Sequence, residues 1–228
     1  MEKINVKVTL TIDGKKITAP KGEKLLWAAL DNDIYIPNLC AVRGIQRPPA
    51  SCRLCFVEVQ GLREPVTACT TPVSEGMVVK TRTPAVDRLV RTAFELLLSD
   101  HRLKCSECPK NRNCELQKIA RTRGLKLKLT RFKPLERNFP VDDSLDLFTF
   151  DRTRCVLCGR CVWVDHEVAK VGALDFSRRG INRMVTTFQD KTLAESPCTQ
   201  CGLCVEACPV GALSFKIDNK IHQDRSIK

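Results

Sequence analysis

The sequence predicts an α+β chain of three successive cysteine-bearing modules. Three observations predict it. Fourteen of the 228 residues are cysteine, and they fall into groups at short, repeated spacings. The N-terminal third alternates polar and apolar residues, as half-buried strands do. The C-terminal third contains the run CxxCxxC twice, an internal repeat.

The first module covers residues 1–82. Residues 4–19 read as a hairpin: INVKVTLTI alternates, Asp13-Gly14 is a turn signal, and KKITA returns. Pro20-Lys21-Gly22-Glu23 breaks the pattern, and KLLWAALDND follows as a short amphipathic helix. IYIPNLC is an extended approach to Cys40, and a Gly/Pro-rich loop leads on to Cys52 and Cys55. FVEVQG and MVVKT are further strands, with Cys69 between them. Two strands, a helix, a cysteine loop and more strands make this a β-grasp domain. Cys40, Cys52, Cys55 and Cys69 supply four thiolates from one loop-rich domain, which suits a [2Fe–2S] cluster, although the spacing differs from the plant-type C-x4-C-x2-C run. A structural zinc site is the plainer alternative. Zinc sites usually place ligands in two close pairs, and here only Cys52 and Cys55 are close.

The second module covers residues 83–145. PAVDRLVRTAFELLL, residues 84–98, is a helix with Pro at its start and apolar residues at helical spacing. His101, Cys105, Cys108 and Cys114 follow. Three cysteines cannot complete a four-iron cluster alone, and His101 stands one helical turn before Cys105. The alternative is a surface histidine beside a three-cysteine site. A His ligand in place of a thiolate removes one negative charge and raises the potential. A helix from Glu115 to Thr122 stops at Gly124. Residues 125–145 are basic, then Pro-containing and acidic, and read as a connection.

The third module, residues 146–217, is a bacterial-type twin [4Fe–4S] ferredoxin. Its CxxCxxC runs lie at 155–161 and 198–204, with GALDF after the first and GALSF after the second. In such folds three cysteines of a run hold one cluster, and the Cys before Pro holds the other. Cys155, Cys158 and Cys161 therefore pair with Cys208, which precedes Pro209. Cys198, Cys201 and Cys204 take their fourth ligand from position 165, which is Asp165 rather than Cys. A carboxylate there makes that cluster labile at one corner and prone to a three-iron form. His166, otherwise a helix-surface residue, is the nearest alternative donor. Residues 218–228 are a polar tail.

The formal charge is +12 with every Cys counted neutral. Fourteen ligating thiolates and four oxidised cluster cores would leave it near about +6. Much of the Lys and Arg excess then balances clusters, which weakens the case for nucleic acid. Aromatic content is 5%, and no basic–aromatic platform interleaves the cysteines. A zinc-bound scaffold or nucleic-acid-binding protein is accordingly the remote alternative. The N-terminus lacks an apolar core of signal length, and no run approaches the length of a membrane span, so a cytoplasmic protein is expected. This many thiols in such a compartment points to metal rather than disulfides.

The whole succession resembles the cluster-bearing N-terminal region of the complex I large subunit and of iron-only hydrogenases. It also resembles the small diaphorase subunit of NAD-linked nickel–iron hydrogenases. Cys40, Cys52, Cys55 and Cys69, then His101, Cys105, Cys108 and Cys114, then CVLCGRC and CTQCGLCVEACP carry the match. Asp165 departs from it, since the relatives usually have Cys there. The resemblance implies one [2Fe–2S] and three [4Fe–4S] clusters. It implies an electron relay between a flavin/NAD(P)H-binding subunit and a hydrogenase catalytic subunit, with ferredoxin as a further partner if the complex bifurcates electrons. A formate dehydrogenase or a complex I-like enzyme is the alternative setting. No G-x-G-x-x-G and no P-loop occurs, so no flavin or NAD is expected on this chain, and no active site of its own.

Overall fold

The structure is a computed structural model that describes residues 6–216. The first residues of the expected hairpin, Ile4 and Asn5, and the polar tail lie outside the described residues. The chain forms two compact units, Met1–Leu96 and Leu97–Lys228.

In the first unit, β1 (Lys7–Ile12) and β2 (Lys15–Pro20) pair antiparallel, with Ile12 opposite Lys15. Asp13 and Gly14 have φ of 50° and 82°, as a tight two-residue hairpin turn demands. Strand alternation sends Val8, Leu10 and Ile12 of β1, and Ile17 and Ala19 of β2, into the core. Helix α1 (Leu25–Leu30) buries Leu25, Leu26, Ala28 and Ala29 in the same core. It is shorter than KLLWAALDND suggests. The Asn32 side chain bonds back to the Ala28 carbonyl at 2.9 Å, and Asp33 turns left-handed with φ 61°, which ends the helix. Strands β3 (Phe56–Val59), β4 (Val66–Thr67) and β5 (Val78–Lys80) complete a five-stranded sheet of order β2-β1-β5-β3-β4. β5 runs parallel to β1, and the other pairings are antiparallel.

Helix α2 (Pro84–Ser99) begins at Thr83, whose carbonyl and hydroxyl accept the N–H groups of Asp87 and Val86 at 2.8 and 3.2 Å. Val86, Val90, Phe94 and Leu98 are its buried stripe.

The second unit has no large sheet. Helix α3 (Glu115–Arg123) ends on Gly124, whose φ of 65° is the left-handed stop that the sequence signals. β6 (Phe148–Phe150) pairs with β9 (Leu213–Phe215), and β7 (Asp175–Ser177) pairs with β8 (Met184–Thr186). Helix α4 (Arg160–Trp163) runs directly into a π-helical turn, Val164–Val168, and α5 (Leu203–Ala207) follows the second CxxCxxC run. The connecting segment is tied down. Asp142 and Phe150 exchange main-chain bonds of 2.9 and 2.8 Å, and the Leu135 N–H reaches the Ser99 carbonyl at 2.7 Å.

Candidate metal centres

The four cysteines of the first unit are all buried. They fall into two pairs. Cys40 Sγ lies 3.4 Å from Cys52 Sγ, and this contact pulls the Cys40 thiol down to about 5 while pushing Cys52 up. The Cys69 contact likewise pushes the Cys55 thiol up, and Cys69 moves down. Each pair thus holds one thiolate readily. Two pairs of sulfur donors match the two irons of a [2Fe–2S] rhomb.

The second unit brings together the remaining ten cysteines. Cys105 opens a 3₁₀ turn, Cys105–Glu107, and Cys114 caps α3. Burial raises the Cys114 thiol, and Cys108 and Cys105 add to the effect through their charge. Burial holds the His101 imidazole down at about 4, so it is neutral at pH 7. Its Nδ1 is buried and has no hydrogen-bond partner. A neutral ring with an unengaged lone pair in a dry setting suits a metal ligand.

Cys208 and Cys204 both stand near enough to the first CxxCxxC run to act on Cys161. Burial, then Cys158 and Cys208, raise the Cys155 thiol, and Cys161 is raised by burial and by Cys155, Cys158 and Cys208. The second run faces Asp165. A small space is lined by Asp165, Cys198, Cys201 and Cys204, closed by Val164, Leu174 and neighbouring apolar residues. Asp165 is buried, and its Oδ2 accepts the Leu174 N–H at 2.9 Å. Burial, then Cys198, Cys201 and Asp165, push the Cys204 thiol up to about 12. Cys201 is exposed, so this site has one open side. His166 is exposed and lies outside that lining, with Nε2 3.0 Å from the Leu174 carbonyl.

The CxxC spacing has a backbone reason. Leu157 and Gln200, each between two cysteines, have φ of 52° and 55°, and Arg53 has φ 53°. Non-glycine residues adopt this conformation at some cost, and it concentrates at functional sites. Here it turns main-chain N–H groups onto sulfur. The Leu157 N–H lies 3.3 Å from Cys155 Sγ, and the Gln200 N–H lies 3.5 Å from Cys198 Sγ. Such bonds favour a thiolate and tune a cluster's potential. Among the described residues, no group of three or more His, Cys, Asp or Glu forms a single-ion site.

The π turn and the Leu174 contact are what sequence reasoning missed. An extra residue in the turn, with Ala169 N–H bonded to the Val164 carbonyl at 2.8 Å, places Asp165 in the buried wall.

Comparison with known proteins fits this geometry. Residues 5–84 match the family described as the 2Fe-2S iron-sulfur cluster binding domain. Residues 91–126 match the NADH-ubiquinone oxidoreductase-G iron-sulfur binding region, and residues 146–214 the ferredoxin-like domain of NADH-quinone oxidoreductase subunit 3. A chain in the crystal structure of an NAD+-reducing [NiFe]-hydrogenase in the H2-reduced state superposes with a TM-score of 0.82 at 31% identity, over 92% of this chain and 88% of that one. The chain belongs to this iron–sulfur family of NAD(P)-linked hydrogenases and NADH-quinone oxidoreductases.

The iron–sulfur chain is also 39% identical to the NADP-reducing hydrogenase subunit HndD of Solidesulfovibrio fructosivorans, over 90% of this chain and 36% of that protein. It is 36% identical to the NADPH-Fe(3+) oxidoreductase subunit alpha of Geobacter sulfurreducens, over 92% of this chain and 24% of that protein. It thus spans about a third or less of these curated relatives' length. Its domains are of the [2Fe–2S] and [4Fe–4S] kinds, in a mixed α/β chain. Among the described residues, no helix is long and apolar enough to cross a membrane.

Proposed function

We propose that the iron–sulfur chain is an electron-relay subunit, carrying electrons between a flavin subunit that oxidises NAD(P)H and a hydrogenase catalytic subunit. What supports this reading is the succession of four cysteine-bearing groups along one chain, in domains that match iron–sulfur families. Cys40, Cys52, Cys55 and Cys69 would hold a [2Fe–2S] cluster in a β-grasp domain. His101, Cys105, Cys108 and Cys114 would hold one [4Fe–4S] cluster, and Cys155, Cys158, Cys161 and Cys208 a second. Cys198, Cys201 and Cys204 would hold a third, completed by Asp165. When bound, these clusters supply one-electron transfer.

The chain's own residues do the rest. Buried Leu39, Leu54 and Ala68 next to the first cysteines exclude water. Left-handed Leu157 and Gln200 aim N–H groups at sulfur. The relative in the NAD+-reducing hydrogenase structure supports the hydrogenase setting. The match of residues 146–214 to an NADH-quinone oxidoreductase domain supports the same relay in a complex I-like enzyme as the second reading.

The test is anaerobic reconstitution with iron and sulfide, followed by mixing with a flavin subunit and NAD(P)H. The relay predicts iron and acid-labile sulfide for one two-iron and three four-iron clusters. It also predicts visible absorption that bleaches on mixing. A colourless chain with zinc and no labile sulfide would sink it.

A further inference from the structure

We propose that Arg154, with Asp151 as its counter-charge, is a positioning residue that holds the Cys105–Cys108 turn and raises the reduction potential of the cluster site formed by His101, Cys105, Cys108 and Cys114. The inference rests on the relay reading and adds to it a group that ligates nothing.

Arg154 and Asp151 are 7% and 8% exposed, and Arg154 Nε lies 2.8 Å from Asp151 Oδ2. Removing two charges from water is expensive, and a neutral donor would serve structure alone more cheaply. The guanidinium is aimed at the cysteine turn. Its Nη1 and Nη2 each lie 3.3 Å from the Glu107 carbonyl, the group immediately before Cys108. Its stem reaches the same spot: a Cβ placed on Gly211 would be 2.4 Å from Cys108 Sγ and 3.7 Å from Arg154 Cδ. Asp151 also bonds within its own turn. Its Oδ1 accepts the N–H and the hydroxyl of Thr153 at 3.0 and 2.5 Å.

The cation thus touches the Cys105–Cys108 turn through the Glu107 carbonyl, whereas Asp151 Oδ1 is engaged by Thr153. In the step concerned, one electron passes to this site from a neighbouring cluster, or from dithionite in the test. No bond forms or breaks and no proton moves. The site gains one negative charge, which a fixed buried cation stabilises, so reduction is favoured. Buried charges are little screened by salt, so the effect should persist at high ionic strength.

The experiment uses the full reconstituted chain and redox titration followed by EPR. The His101 site is identified by its nitrogen coupling in pulsed EPR. Arg154→Gln should lower that site's midpoint potential. Asp151→Asn keeps an acceptor for Thr153 and should raise it. Arg154→Lys keeps the charge and should hold the potential near the parent value. Potentials that stay fixed in both the Gln and Asn variants, or move in the same direction, overturn the inference. If Arg154→Gln fails to load iron, the sign of the Asp151→Asn shift decides alone. An unmutated chain with no nitrogen-coupled signal overturns the His101 ligand, and this inference with it. A normal signal with unmoved potentials removes only the role of Arg154.

Discussion

The main-chain N–H of Glu115 donates to the carbonyl of Pro209 at 3.0 Å. Each of these residues directly follows a candidate ligand, Cys114 and Cys208. One hydrogen bond therefore joins the loop of Cys114 to the loop of Cys208. A second bond runs from the Arg102 N–H to the Thr153 carbonyl at 2.8 Å.

Glu115 is the first residue of α3, a position where proline fits a helix. Glu115→Pro should thus leave α3 intact while deleting the N–H. The Pro209 carbonyl then loses its partner, and the loaded second unit should lose about 1 kcal/mol of stability. Anaerobic urea denaturation of the loaded chain checks this. An unchanged midpoint would show that the bond contributes nothing.

Gly211 is the residue that lets Cys108 approach. A methyl group there would sit 2.4 Å from Cys108 Sγ, well inside contact distance. A free thiol could swing aside, but a ligating one is held by iron. Gly211→Ala should therefore cost about 1–3 kcal/mol of overpacking and be felt as poor iron loading at the His101, Cys105, Cys108 and Cys114 group. The Cys40, Cys52, Cys55 and Cys69 group belongs to the other unit and should load normally. Iron analysis together with EPR separates the two outcomes. Full loading of both groups would mean that Cys108 has room that the structure does not show.

The sequence reading recovers the strong local signals and misses the weak ones. Asp13-Gly14 forces its turn through positive φ, and Gly124 stops α3 in the same way, so both were legible. β1 and β2 alternate over six residues each, long enough for a period of two to stand out. β6 to β9 have three residues each, too few for any period, and only their partners across the unit define them. The cysteine groups are legible as spacings. The π turn is not. It depends on one extra residue between Val164 and Ala169, with no Gly or Pro to mark it. Arg154 and Asp151 gave no signal either, because a buried ion pair and a surface one look alike in a basic sequence.

Removal of iron should affect the two units unequally. The first unit has a hydrophobic core of its own, with Leu10, Ile12, Leu25, Leu26, Ile36 and Val57 fully or almost fully buried around a five-stranded sheet. The second unit holds ten cysteines on short turns, and its β-strands have three residues each. Its order should depend on the metal, since binding free energy at such sites is folding free energy. After anaerobic chelation, amide hydrogen exchange should stay slow across β1, β2 and β5 and become fast from Cys105 to Cys208. Equal protection in the two units would show that the second folds without iron.

Asp165 lines the same space as Cys198, Cys201 and Cys204. Its Oδ2 is engaged by the Leu174 N–H, and the same residue's carbonyl lies 3.0 Å from the His166 ring, so Leu174 sorts the two candidate donors. The carboxylate lines that space and the imidazole does not. Two substitutions separate ligation from support. Asp165→Asn keeps an oxygen for the Leu174 N–H but removes the negative donor. If the carboxylate binds iron, this variant should lose one iron at that site on brief oxidation and give the EPR signal of a three-iron cluster. Asp165→Ala would be a poorer choice, because an orphaned buried N–H costs about 1–3 kcal/mol by itself. Asp165→Cys supplies the thiolate found elsewhere in the chain. It should give an all-thiolate four-iron cluster that withstands the same oxidation, with a changed EPR spectrum and potential. A carboxylate that only caps Leu174 predicts a different result: neither variant alters the iron content or the spectrum, and His166 or water then completes the site.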